Sequence, residues 1–524
     1  MAGMNRRQFA SQTLGGLSGA AVWSAQNPPP PISIGQRREL FVDRHLLARL
    51  SGSAALRLHH PQPQEVVLVH DAPWEGSGSG YHSIFQDGDL YRMYYKAYHL
   101  DVSSGKMRSD AHPGHCCYAE SSDGLHWRKP DLNLVDFRGS KANNIVLASG
   151  PWGRANLDAA HPAVCKDPNP AAPPQARYKA LVRSADKKAH GLLALQSPDG
   201  LRWSLISEQP VITNGAFDSQ NLAFWDPVRR QYRAYWRTFT GGVTTGETWK
   251  PAGLRAIRTG TSFDFLHWDD SHDLRYVDSP AEQLYTNQVK PYHRAPHLFL
   301  GFPTRYLERP SSPSLDALPE PEHRRQRSAA STRYGTAITE ALLMASRDGV
   351  TFHRWNEAFL RPGAERPGTW NYGHQYVAWH LVETRSPLPG APNELSLYAS
   401  ESYWTGNSSE LRRYSLRLDG FVSLNAGAKG GEALTPLVRF EGDRLRLNFA
   451  TSASGVVLVE LQNAEGRPLP GYSAADCDEL FGDAVDRTVT WKGSPSLASL
   501  AGTPVQVRFL CKDADLFAFR FASA

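Results

Sequence analysis

The sequence predicts an all-β chain: a five-bladed β-propeller followed by a C-terminal β-sandwich. Three observations predict it. A Ser-x-Asp-Gly phrase closing on a tryptophan recurs along the chain, and an apolar hairpin precedes each copy. After Phe421 the texture changes to short alternating strands without that phrase.

The copies read SSDGLHW at 121–127, SPDGLRW at 197–203 and SRDGVTFHRW at 346–355, with a degenerate TGTSFDFLHW ending at Trp268. Asp-Gly between two extended runs signals a tight hairpin, because glycine takes a positive φ at little cost and Asp bonds the backbone ahead. The tryptophan then covers the apolar face, which places Trp127, Trp203, Trp268 and Trp355 in outer strands just past a hairpin. The preceding hairpins span 81–96, 161–183, 221–237, 287–305 and 374–401. Each is an apolar strand, a turn rich in Asp, Pro or Gly, and a strand heavy in Tyr, Leu and Ala. Two hairpins make a four-stranded unit, and five such units in series predict a radial repeat. The fifth lacks the Asp-Gly phrase and ends as LRRYSLRLDGF at 411–421.

Of the 524 residues, 57 are Lys or Arg and 52 Asp or Glu, and no Lys/Arg-dense stripe occurs, which argues against a nucleic-acid partner. No apolar run is long enough to span a membrane. The start, MNRRQFASQTLGGLSGAAVWSA, pairs Arg6 and Arg7 ahead of a weakly apolar stretch and small residues, the pattern of a twin-arginine export signal. The expected organisation is a signal over 1–25, a Pro-rich linker over 26–36, the propeller over 37–424 and the sandwich over 425–524. A periplasmic or secreted location follows. Adjacent Cys116 and Cys117 on a strand point to opposite faces, which argues against one metal ion, and no cofactor is expected. Cys477 and Cys511 share the C-terminal region, where pairing is one reading.

Five blades and a sandwich on an exported chain resemble glycoside hydrolase family 32, and look like the related propeller families 43 and 130. The motifs match thinly, as in a divergent member. PWEGSGSGYHS (73–83) stands where family 32 carries Trp-Met-Asn-Asp-Pro, CKDPNP (165–170) is similar to Arg-Asp-Pro, and nothing matches Glu-Cys. The resemblance implies cleavage of a glycan, plant or algal, by paired carboxylates. A phosphate-using glycoside phosphorylase and a non-catalytic carbohydrate-binding propeller are the alternatives.

One mouth of a propeller collects residues at the start of strand one and the end of strand two. The first set gives Glu75 and His82, Asp158 and His161, Asp218 and Asn221, Glu282 and Asn287, and His374; the second gives Lys96, Arg183, Arg237, Arg305 and Glu401. A glycosidase needs one ionised and one protonated carboxyl group across the scissile bond. Asp218, oriented by Asn221, is the expected base or nucleophile. Glu282, beside Leu284 and Tyr285, is the expected proton donor, and Glu401 is a third candidate. Glu75, His82, Lys96, Asp158, Arg183, Asn221, Arg237, Asn287, Arg305 and His374 are expected to bind substrate. Asp167 and Asp226 sit in Asp-Pro turns at the opposite mouth and read as turn chemistry. Four cations closing strand two predict an anionic ligand, a uronic or sulfated sugar or phosphate. The segment 308–335 has no strand pattern and reads as a flexible flap beside the mouth.

Overall fold

The structure, a computed structural model, describes residues 30–109, 111–244, 248–406, 408–494 and 496–524. The expected export signal and residues 26–29 of the expected linker lie outside the described residues.

Five antiparallel sheets follow one another around a ring, and the five-bladed propeller expected from the repeat is present. Blade one is Gly80–Asp87, Leu90–Ala97, His115–Ser121 and Ile145–Ala148; blade two runs from Gly150–Trp152 through Ala155–Lys166, Tyr178–Ser184 and Leu192–Ser197 to Ser204–Leu205. Blade three is Leu222–Asp226, Gln231–Val243, Lys250–Ser262 and Asp269–Asp273. Blade four is Lys290–Tyr292, Ala295–Gly301, Met344–Ser346 and Thr351–Arg354, with Arg275–Val277 added in parallel on its outside. Blade five is Val382–Thr384, Glu394–Glu401 and Glu410–Arg417, and its outer strand, Gln62–Val69, comes from the beginning of the chain. That strand closes the ring.

The repeated phrase is a backbone clip, built four times alike. The Ser121 hydroxyl accepts from the Gly124 N–H at 2.9 Å, while Asp123 Oδ1 accepts from Leu125 and His126 N–H groups at 2.8 and 2.9 Å. Ser197 with Asp199, Ser262 with Asp264 and Ser346 with Asp348 repeat the pattern. The fourth position needs a positive φ: Gly124 stands at 76°, Gly200 at 78° and Gly349 at 81°. The degenerate copy puts Phe265 there at 70°, where the buried ring packs on Tyr232 and Trp268. The tryptophans sit one residue outside the strands rather than in them: Trp203 and Trp268 precede the outer strand and Trp355 follows one. Trp127 and Trp268 turn their indole N–H back onto the carbonyl three residues earlier, at 3.1 Å, so each caps the turn it closes.

The chain start also departs from the expected boundaries. Ile32–Gly35 pairs with Val438–Phe440, Glu39–Leu40 with Gln506–Ala522, Arg49–Gly52 with Gly431–Leu434, and Ala55–Leu58 with Val422–Ala426. Residues 32–58 therefore join the C-terminal β region rather than a linker or the propeller. The long strands Arg444–Gln462 and Gln506–Ala522 pair along most of their length over a core that includes Phe449, Val459, Phe509 and Phe519 with Ile34 and Phe41 from the start. Cys477 and Cys511 are both buried there as free thiols, so the paired reading is corrected.

The expected flap is ordered. Thr304–Glu308 and Ala337–Ala341 pair as a separate ribbon, and between them lie the short helices Pro313–Asp316, Pro321–Ala330 and Thr332–Thr336. At the centre of the ring two buried glutamines meet. Gln288 Nε2 donates to Gln220 Oε1 and to the Val377 carbonyl, each at 2.7 Å, and Gln220 Nε2 donates to the Tyr81 and Pro162 carbonyls at 2.9 and 3.1 Å. Segments leading into all five blades are thus tied together, and the two mouths are separated.

Asp123→Ala and Asp199→Ala should each lower unfolding free energy by about 1 kcal/mol, since each strips two backbone N–H groups of their acceptor. Urea denaturation of the variants beside Asp89→Ala, outside any clip, measures this.

Candidate functional site

A cavity of about 600 Å³ opens at the mouth where strand one begins. Its walls are aromatic: Tyr81 and Tyr285 line it and stack on Tyr376 behind them at 5.5–6.2 Å, and Tyr372, Tyr403 and Trp404 continue the wall. Tyr81 and Tyr285 share a hydrogen bond at 2.9 Å, and the Tyr285 hydroxyl also reaches the Asp218 carbonyl at 3.1 Å. Among the described residues lining the cavity, Lys96, Arg183, Arg237, Arg255 and Arg333 face two carboxylates, Asp158 and Asp218. The flap takes part, because its last helix supplies Arg333 and Tyr334.

Asp158 opens a long strand of blade two. Its Oδ2 accepts from His161 Nδ1 at 2.9 Å, its Oδ1 from the Ala160 N–H at 3.1 Å, and Arg183 approaches to 3.4 Å. Burial works against its charge, but His161, Arg183 and the amide more than offset that and hold the carboxyl well below the usual range. Asp218 lies just ahead of blade three with 45% of its side chain exposed, against Arg237, which is 3% exposed. Arg237 is held on every side. Its Nε donates to the Ala216 carbonyl at 3.1 Å, its backbone N–H to Asn221 Oδ1 at 3.1 Å, and its guanidinium lies over Tyr285 and Phe239. Lys96, at the end of blade one's second strand, sits over the rings of Tyr98, Tyr81 and Tyr403 at 4.6–5.8 Å. Burial pushes its ammonium down to about 8, with Asp158 pulling the other way.

Of the residues expected at this mouth, Lys96, Asp158, His161, Arg183, Asp218 and Arg237 meet in the cavity. The others do not line it, for reasons the packing shows. Glu282 is salt-bridged by Arg354 at 2.9 Å and Arg305 at 3.3 Å, so it lacks the apolar surroundings expected of a proton donor. Arg305 does not close strand two; it lies on the flap ribbon, locked to Glu340 and Glu282. Glu401 is fully buried between Arg366 and Arg412, and its pKa is lowered, since those cations outweigh its burial. Glu75 is buried on Lys129 at 2.6 Å and the Tyr95 hydroxyl at 2.5 Å. His82 bonds His70 ring to ring at 3.0 Å, and His374 accepts from the Trp370 N–H, with burial pushing its pKa down to about 4. Asn221 and Asn287 serve backbone: Asn221 accepts from Arg237 and donates to the Phe217 and Ser219 carbonyls, and Asn287 accepts from the Val289 N–H.

Nor do the strand-closing cations converge unpaired. Arg183 faces Asp158, Arg237 faces Asp218, and Arg305 is outside the cavity. The positive excess survives through Lys96, Arg255 and Arg333. The aromatic wall escaped the sequence reading, although Tyr81, Tyr285 and Tyr403 each lie within two residues of a position singled out as mouth-facing.

Because the Lys96 ammonium is charged below about 8 and neutral above it, the cavity loses a cation as pH rises through that value. Affinity for an anionic ligand should fall across pH 7–9, and Lys96→Met should flatten that step in calorimetric titrations.

No family model and no curated protein matches this chain. Solved structures similar to it include a family 43 arabinoxylan arabinofuranohydrolase from Bacillus subtilis in complex with cellotetraose, at 12% identity and a TM-score of 0.40, covering 86% of this chain and 97% of that one. An N-acetylgalactosamine deacetylase from F. plautii, in complex with blood group B trisaccharide, is 12% identical with a TM-score of 0.39 and coverage of 69% and 94%. A structure from work describing glycoside hydrolases within the family 130 mannoside phosphorylases, targeting β-1,2 mannosidic linkages in Candida mannan, is 12% identical with a TM-score of 0.36 and coverage of 68% and 93%. Likenesses this distant assign no activity here; the propeller rests on the chain's own strand pairing, and the chemistry on its own cavity.

Proposed function

We propose that the chain is a glycoside hydrolase that cleaves an anionic oligosaccharide in this cavity, with Asp158 and Asp218 as its paired carboxylates. The observation that carries the reading is their placement: among the described residues they are the two carboxylates, from neighbouring blades, in an aromatic-walled cavity whose other charged side chains are cations. Aromatic faces suit the apolar faces of sugar rings, and a few fixed charged groups set orientation. Asp158, held ionised by His161 and Arg183, is the base or nucleophile. Asp218, the more exposed of the two, is the proton donor. Arg237 occupies it at rest; an anionic group on the sugar draws that guanidinium away, and Asp218 is then able to take up a proton and pass it to the leaving oxygen. A uronic acid or sulfated sugar, as plant and algal glycans carry, supplies such a group. Export through the paired Arg6 and Arg7 puts the enzyme where such glycans are met.

The cation excess also favours a second reading, in which inorganic phosphate replaces water and the product is a sugar phosphate. Product analysis with and without phosphate separates the two.

With an acidic oligosaccharide that the wild type cleaves, Asp158→Asn and Asp218→Asn should each lower kcat by about a thousandfold or more, while Glu282→Gln stays within a few-fold. Reducing-end release measures it; near wild-type rates in both Asp variants overturn the pair, and binding without turnover by the wild type points to a non-catalytic role. Arg237→Ala should raise KM about tenfold or more for the acidic substrate, because a charge-assisted bond contributes about 1.5–3 kcal/mol, and much less for a neutral analogue. Rising salt should weaken binding in the same direction.

A further inference from the structure

The ring has a second cavity, of about 430 Å³, at the other mouth, where strand one ends. Phe85, Tyr91 and Phe302 give it aromatic walls, and Lys290, His380 and Gln288 give it polar groups. Three features mark it as built. Gln288 and His380 both hold positive φ, 47° and 85°, a conformation that costs side-chain-bearing residues free energy and persists where the surroundings impose it. The buried Gln288 uses its amide N–H groups at the ring centre and leaves its carbonyl oxygen Oε1 without a hydrogen-bond partner. Lys290 has no carboxylate within ion-pair distance among the described residues; its Nζ donates to His380 Nε2, and His380 is fixed as the acceptor because its Nδ1 donates to the Ile84 carbonyl at 2.8 Å.

The charges around this cavity decide what it takes. Glu383, its one carboxylate among the described residues, is already met by His293 at 2.9 Å and Arg294 at 3.3 Å. Burial pushes the Lys290 ammonium down to about 8, with the Cys165 thiol pulling the other way, so the group is charged at pH 7. One of its three N–H bonds goes to His380. The remaining donors lack an anion, and Gln288 Oε1 lacks a donor.

We propose that this cavity is a binding site for a monosaccharide bearing a carboxylate, a hexuronic acid, with the carboxylate on Lys290 and a ring hydroxyl on Gln288 Oε1. The site is separate from the cavity of Asp158 and Asp218, and the proposal does not rest on the hydrolase reading. One hydrogen-bonded path joins the two cavities: Gln288 bonds Gln220, and Gln220 bonds the Tyr81 carbonyl in the wall of the first cavity.

The test is calorimetry at low ionic strength with glucuronate, glucose and acetate, on the full chain carrying Arg237→Ala to weaken the first cavity, with and without Lys290→Met. Glucuronate should bind at least tenfold more tightly than glucose or acetate, and Lys290→Met should remove that advantage. Equal binding of acetate reduces the site to an anion contact, equal binding of glucose removes the role of the lysine, and unchanged affinity in Lys290→Met places the sugar elsewhere; each overturns the proposal. Should Lys290→Met not fold, the wild type answers directly: glucuronate, and not glucose, should protect Lys290 from acetylation by acetic anhydride, mapped by peptide mass. Lack of protection overturns the assignment. Activity of the Asp158 and Asp218 variants bears on the first cavity alone, so the two readings fail separately.

Discussion

Closure of the ring is the constraint on which the rest depends. Blade five takes its outer strand, Gln62–Val69, from the start of the chain, and that strand pairs with Glu410–Arg417 near the end of the ring. A radial array with an open seam presents a sheet edge and lets the first and last blades swing apart. With the seam closed, the innermost strands are held at fixed mutual angles, and residues far apart in sequence are delivered to one mouth. Asp158 and Asp218 meet Tyr372 and Tyr403 only because blade five is fixed against blade one. The same N-terminal stretch continues into the C-terminal β region through Ala55–Leu58 and Arg49–Gly52, so ring closure and the docking of that region share one segment.

The centre of the ring gives that closure a second consequence. A five-bladed array leaves a narrow axis, and here Gln220 and Gln288 fill it with amide bonds to the neighbouring blades. Burying two amides is tolerable only because nearly all their hydrogen-bonding capacity is used. The exception is Gln288 Oε1, a buried oxygen without a partner on a residue that also lines the second cavity. The axis therefore divides the molecule into two mouths of different chemistry. One has several cations over a tyrosine wall; the other has a single lysine over mixed apolar walls.

What the sequence disclosed follows the range of the interactions. The Ser-x-Asp-Gly clip is complete within six residues, so the four turns, and with them the five blades, were legible. The need for positive φ at the fourth position was legible as well, apart from Phe265, where ring packing on Tyr232 and Trp268 stands in for glycine. The closing strand was not, because nothing local in Gln62–Val69 names a partner some 350 residues away. Arg305 was misplaced for a nearer reason: Pro303 interrupts the run after strand two, and the chain leaves the blade for the flap ribbon. Glu282 and Glu401 look like mouth carboxylates in sequence, yet the guanidiniums that occupy them come from distant segments. Their partners Arg354 and Arg366 carry no local mark of that pairing.

The pairing of Arg237 with Asp218 bears on selectivity as much as on stability. Parting a buried guanidinium from its carboxylate, with nothing to replace it, leaves a charge unpaired, though water reaching the half-exposed Asp218 makes the cost smaller than for a fully buried pair. On the proposed hydrolase reading, a neutral sugar offers no replacement charge, so for it the pair would stay closed and the carboxyl would remain occupied. An anionic sugar exchanges one ion pair for another, and the cost largely cancels. The aromatic wall bears on the exchange as well, since Tyr285 and Phe239 lie against the guanidinium of Arg237. Selection against neutral ligands is then set by the resting ion pair itself, a discrimination that works through the penalty on the wrong ligand and needs no additional contact to the right one.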